Sequence, residues 1–118
     1  MVNNLYFRGA RFSMNRLLQL QKFYEEDPND PFNLYGLALE ISKNNKEQGY
    51  TLFQQLISGF PDYVPTYYQS ALLAIELSQP DQAKTTLEHG MSWAKSKNDI
   101  KAFNELQQLW NEVEWEIW

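Results

Sequence analysis

One recurring string constrains this chain more than any other feature. Pro31 to Leu39 reads Pro-Phe-Asn-Leu-Tyr-Gly-Leu-Ala-Leu, and Pro65 to Leu73 reads Pro-Thr-Tyr-Tyr-Gln-Ser-Ala-Leu-Leu. Each copy opens on proline, brings an aromatic soon after, and places a small residue four positions beyond that aromatic. Phe32 with Gly36 and Tyr67 with Ala71 form the matched pairs, at an offset of 35. A second half-pattern, Gly49 with Phe53 and then Ala83 with Leu87, recurs at an offset of 34. A period of this length is the signature of stacked helical hairpins, in which no single unit can bury its apolar face alone. The difference between the two offsets implies one extra residue in the internal turn of the first unit.

The punctuation around the repeats predicts six helices. Asn15 can cap a helix to about Glu26 whose apolar residues, Leu17, Leu18, Leu20, Phe23 and Tyr24, line one face. Asp27 and Pro28 end it, and Asp27 or Asp30 serves the next helix as turn former and cap. Helices follow over about 31–42, 46–58, 65–77, 80–96 and 99–117. Pro31, Pro65 and Pro80 stand at first helical positions, where a missing N–H costs nothing. Gly59 followed by Pro61 is a stop signal. Phe32, Tyr35, Gly36 and Leu39 form the stripe expected to face the packing seam. Glycine in a helix interior costs about 1 kcal/mol against alanine, so Gly36 and Gly49 need a close helix crossing to justify them. The last helix carries Ile100, Phe103, Leu106, Trp110, Val113 and Ile117 on one side. Its other side holds Lys101, Asn104, Glu105, Gln108, Asn111, Glu112 and Glu116, the wet face a terminal capping helix needs. No stretch alternates at period 2, so no sheet is expected.

Composition excludes several classes. With 118 residues the chain is one domain, and its 10 basic against 15 acidic residues leave a net charge of −5. Nucleic-acid binders need basic clusters to displace counterions, so no nucleic-acid partner is expected. Cysteine is absent, which removes disulfides, thiol nucleophiles and thiolate metal sites. No apolar run approaches the roughly 20 residues of a membrane span. Arg8 and Arg11 are not followed by the apolar block of a secretory leader. The expectation is a cytoplasmic protein with no membrane contact.

Residues 1–13 differ from the rest, with two arginines, no acid and no sustained period. Asn4 to Gly9 also resembles the tobacco-etch-virus protease site Glu-Asn-Leu-Tyr-Phe-Gln-Gly, departing at Asn3 and Arg8. Two readings stand: a vector-derived or upstream segment preceding a natural start at Met14, or a native disordered extension. Either way the helical domain is expected to occupy 14–118.

With the helices placed, the two units resemble tetratricopeptide repeats, 34-residue helix pairs. That family favours a large aromatic, a large apolar residue three on, a small residue next, and a large residue three further. Phe32, Tyr35, Gly36 and Leu39 follow this in the first unit, and Tyr67, Ser70, Ala71 and Ala74 in the second. In the second helix of each pair the family wants small, large, small, then proline. The first unit offers Gly49, Phe53, Leu56 and Pro61; the second offers Ala83, Leu87 and Gly90, with Lys95 in place of proline. Ser70 and Ala74 are smaller than the pattern and Leu56 is larger. The resemblance covers 31–97 directly, and the helix before Pro28 is similar to an isolated second helix. It implies an all-α fold, a right-handed superhelix of about six antiparallel helices.

The resemblance also implies a non-enzymatic module that binds a protein or peptide on its concave face. By it, the groove residues would be Asn33, Leu37 and Glu40, then Tyr68, Leu72 and Ile75. The competing expectation is that a flanking helix covers these positions and makes them core. The groove lacks the lysines and arginines with which some family members clamp a peptide carboxylate, so an anionic C-terminus is not the expected ligand. Trp115 and Trp118 form a second candidate interface, suited to a homodimer; the alternative is a frayed end lapping back on the domain. No catalytic residues, cofactor or metal are expected. His89 is the lone histidine, without a nucleophile pattern around it. The alternating Glu112, Glu114 and Glu116 diverge by about 200° on a helix and cannot converge on an ion.

Overall fold

The computed structural model describes residues 4–116, with side chains described from Asn15 to Glu114. Six helices follow one another: α1 (Asn4–Glu26), α2 (Pro31–Ser42), α3 (Lys46–Gly59), α4 (Pro65–Glu76), α5 (Pro80–Ser96) and α6 (Ile100–Glu116). Each packs against the next in sequence, and α4 also touches α6. No strand occurs among the described residues. The result is an all-α superhelix of antiparallel pairs, as the short turns require.

Local chemistry explains the boundaries. The Phe32 N–H donates to Asp30 Oδ1 at 3.0 Å, capping α2. The Gln48 N–H donates to Asn45 Oδ1 at 3.0 Å, capping α3, and the Ala102 N–H donates to Asp99 Oδ1 at 3.1 Å, capping α6. Pro31, Pro65 and Pro80 occupy the first turns of α2, α4 and α5. The stop after α3 differs from the expected glycine cap. Among the described residues no glycine has a positive φ; Phe60 leaves the helix at φ −137° because Pro61 disfavours helical geometry in the residue before it. Helices α4 and α5 end on left-handed non-glycine residues, Ser78 at φ 60° and Asn98 at φ 58°. The next N–H in each case reaches back into the helix, from Gln79 to the Ala74 carbonyl at 2.7 Å and from Asp99 to the Ala94 carbonyl at 2.8 Å.

Helix α1 begins at Asn4 rather than at Asn15. No proline lies between these residues, and Gly9 is the single strong helix-disfavouring residue there. The backbone therefore runs helically across the expected boundary at residue 13; the side chains of 4–14 lie outside those described.

The repeat register also differs from expectation. Pro31 and Pro65 begin equivalent helices, as do Lys46 and Pro80, each pair 34 residues apart. The internal turns, 43–45 and 77–79, are equal in length, so the first unit carries no extra residue. Asn33, not Phe32, is therefore the counterpart of Tyr67. Burial agrees: Phe32 is 65% exposed, outside the packing seam, whereas Tyr67 is 2% exposed.

Two apolar clusters hold the stack. The N-terminal one joins Leu34, Leu37 and Ala38 of α2 to Phe53 and Leu56 of α3 and Leu73 of α4, with Leu17, Leu20 and Tyr24 of α1 packed on it. The C-terminal one joins Tyr67, Ala71 and Ala74 of α4 to Ala83, Leu87 and Ala94 of α5 and Leu106, Leu109 and Val113 of α6. Tyr50 packs against both. Full burial of a side chain such as Leu87 or Phe53 contributes about 1.5–3 kcal/mol. Isolated helices as short as α2 and α4 are marginal in water, so this packing rather than propensity maintains them.

The glycines separate by role. A Cβ on Gly49 would fall 2.8 Å from Ser42 Cα, and one on Gly90 would fall 2.6 Å from Tyr67 Cβ. These are true close crossings, the first within one helix pair and the second within the next. Gly36 meets only the flexible end of Leu20, at 3.4 Å, so the crossing there does not require glycine.

Candidate interaction cleft

An open cleft of about 540 Å³ lies between α2, α4 and α6. One wall comes from α4 and its start, Val64, Pro65, Tyr68 and Gln69, with Tyr35 of α2 beside them. The facing wall is α6, which contributes Lys101, Glu105, Gln108 and Glu112, with Ala102, Leu106 and Leu109 deeper and Asp99 at the helix start. Residues 101, 105, 108 and 112 are spaced by four, three and four, the stepping of a single helix face.

Packing fixes the aromatic wall. Tyr35 meets Phe53 edge-to-face at 5.9 Å between centroids and Tyr63 at 5.6 Å. Such pairs add about 0.5–1.5 kcal/mol beyond burial and restrict the ring. Burial pushes the Tyr35 phenol above its ordinary pKa, and a side-chain hydrogen bond with Gln69 works against that rise. Burial likewise raises Tyr63, helped by the neighbouring Tyr35 and Asp30. The α6 wall is set by the Asp99 cap and the Asn98 left-handed turn already described. At the other end of that corner Lys97 Nζ donates to the Asp62 carbonyl at 3.0 Å, tying the end of α5 to the loop before α4.

The residues expected in the groove are dispersed. Asn33 donates its amide to the carbonyls of Phe23 at 3.3 Å and Asp27 at 3.1 Å, holding the end of α1. Leu37 is 6% exposed within the N-terminal cluster, against which α1 packs. Glu40 accepts from Arg16 Nε at 3.0 Å and Lys43 Nζ at 3.1 Å. The Lys43 hydrogen bond is the main reason its carboxyl sits below the usual range, with Arg16 adding to it. All three are thus engaged inside the chain. Tyr68 does line the cleft, while Leu72 and Ile75 continue its stripe, half-buried against the C-terminal cluster. The structure brings Tyr68 together with Tyr35 and the α6 face, not with Asn33, Leu37 or Glu40.

Sequence reasoning missed Tyr35, Gln69, Lys101, Glu105, Gln108 and Glu112 as cleft residues. The signal was available: Asp99 follows Pro65 by the same 34-residue step that separates Pro65 from Pro31. Helix α6 therefore occupies the first-helix position of a third unit, and part of its polar side lines the cleft.

The side chain of Trp115, and Trp118 entirely, lie outside the described residues. His89 is exposed, at the rim of a second open cleft of about 460 Å³ between α3 and α5, with Tyr50, Gln54, Ile57 and Thr85. Among the described residues no three His, Asp or Glu side chains are grouped to hold a metal ion. No described helix is long and apolar enough to cross a membrane.

No family model matches the sequence, and no curated protein matches it. Solved structures do. The solution NMR structure of a tetratricopeptide repeat domain protein from Salinibacter ruber is 36% identical, with 75% of this chain and 90% of that chain covered at a TM-score of 0.70. A crystal structure of a tetratricopeptide repeat domain protein from the same organism is 34% identical, with 73% and 98% covered and a TM-score of 0.70. The fold they share is in general one of protein interaction, typically a non-enzymatic scaffold. Identity at this level, over nearly the whole of both neighbours and with the 34-residue step preserved in three successive units, means that the chain belongs to the tetratricopeptide repeat family.

Proposed function

We propose that this chain is a non-enzymatic binding module that receives an extended segment of a partner protein in the cleft between α2, α4 and α6. The observation that carries this reading is the composition of that cleft. Tyr35 and Tyr68 present rigid amphipathic rings, which give contact area at low conformational cost. Gln69 and Gln108 offer side-chain amides, each able to donate to and accept from a peptide backbone. A volume of about 540 Å³ falls within the roughly 300–1,000 Å³ of ligand-binding clefts.

A random twelve-residue peptide library displayed on phage, selected against the folded protein, tests the proposal. Enriched peptides are expected to shift backbone amide resonances of Tyr35, Tyr68, Gln69, Glu105 and Gln108. Tyr68→Ala should weaken them about tenfold or more, the loss typical of a central aromatic contact. Unchanged affinity in Tyr68→Ala, with helicity and melting temperature retained, overturns the reading.

A further inference from the structure

From the charge left uncompensated on the α6 wall we infer that the cleft selects cationic segments, a lysine- or arginine-bearing stretch of the partner. The inference rests on the binding reading above and adds the partner's chemistry. Most described cations of the chain face its own carboxylates. Arg16 and Lys43 flank Glu40, Lys46 meets Glu76, Lys84 meets Glu114 at 2.8 Å, and Lys97 lies by Asp62. Glu105 and Glu112 form no ion pair among the described residues, yet both line the cleft. They are two turns apart on one face, with Gln108 between them. Lys101 lies one turn before Glu105 and forms no ion pair with it.

The opposite wall is suited to the same ligand. Tyr35 and Tyr68 present ring surface on which the aliphatic stem of lysine or arginine packs while its charged head reaches Glu105 or Glu112. An anionic segment would meet three carboxylates, those of Asp99, Glu105 and Glu112, and gain a single cation, Lys101. The net charge of −5 extends the preference beyond contact distance, because it attracts cationic partners during approach.

The library selection supplies the test, read for composition as well as site. Enriched peptides are expected to be rich in lysine and arginine relative to the input. Their affinity should fall about fivefold in Glu105→Gln/Glu112→Gln, as for two partly exposed charge contacts. It should fall further between 50 and 500 mM salt in wild type, with a shallower salt slope in the double variant. Both substitutions lie on exposed positions, so the melting temperature should be unchanged. Neutral or acidic peptides footprinting on Tyr35 and Tyr68, or cationic peptides indifferent to the double variant, overturn the charge preference and leave the binding cleft standing. Peptides that leave the cleft resonances unmoved overturn both.

Discussion

Tyr67 and Asn33 perform the same tie in successive repeats. The Tyr67 phenol donates to the carbonyl of Pro61 and the Asn33 amide donates to the carbonyl of Asp27, each acceptor six residues back. In both units the bond joins the first helix of a pair to the loop that precedes it. Tyr67 is almost wholly buried, so removing its hydroxyl deletes a hydrogen bond that ties the core ring to the exposed loop. Tyr67→Phe should destabilise by about 1–2 kcal/mol, read as a lower urea midpoint with an unchanged slope. A midpoint identical to wild type would show that the tie contributes nothing.

The glycines should respond in opposite directions. Gly49→Ala pushes a methyl into the Ser42 backbone and should cost about 1–3 kcal/mol through overpacking. Gly36→Ala meets only a movable leucine tip and gains helix propensity, so it should be neutral or stabilising by up to about 1 kcal/mol. Thermal melts of the two variants side by side decide it. Equal destabilisation would contradict the geometry.

Ser78 holds a left-handed conformation at φ 60° that a side chain disfavours. Ser78→Gly should stabilise by about 0.5–1 kcal/mol, because the strain relieved exceeds the added freedom of the unfolded chain. Asn98→Gly should gain less, since asparagine tolerates this region better. A loss of stability in Ser78→Gly would refute the assignment.

Thr66 is fully buried, and its Oγ1 has no hydrogen-bond partner among the described residues. A stranded hydroxyl costs desolvation without return. Thr66→Val keeps the shape and removes the hydroxyl, and should be neutral or stabilising by about 1 kcal/mol. Chemical denaturation measures this, and a loss above that size would point to an unseen partner for the oxygen.

Alkaline pH should unfold the protein. Burial raises the phenols of Tyr35, Tyr50, Tyr63 and Tyr67 above the ordinary value of 10.0. Above that value the unfolded chain loses these protons first, so the folded state binds more of them and stability falls as pH rises. Stability should be flat on this account from pH 7 to 9 and decline from about pH 10 upward. Urea midpoints with tyrosinate absorbance at 295 nm test it; a constant midpoint to pH 11.5 would be the contrary result.

Much of the fold was legible in the residues. The prolines at 31, 65 and 80, the turn at Asp27 to Asp30, and the 3.6-residue apolar period marked five helices to within one or two positions. These are local signals, carried by backbone sterics and by hydrogen bonds spanning a few residues. The start of α1 was less legible, because helix can continue through residues that neither favour nor forbid it.

The register and the cleft belonged to the tertiary structure. Phe32 and Tyr67 look equivalent as aromatics after proline, yet one faces solvent and the other the core. The 34-residue proline spacing already offsets them by one position, and the packing of α1 on α2 and of α5 on α4 turns that offset into opposite burial. Likewise the polar side of α6 reads from sequence as a cap facing water, since no local property of Glu105 or Gln108 reveals what stands opposite. The sequence determined that helices stack in pairs at this period. Which faces meet across the stack, leaving Tyr35 and Tyr68 opposite Glu105 and Glu112, was decided by how side chains fill the two apolar clusters.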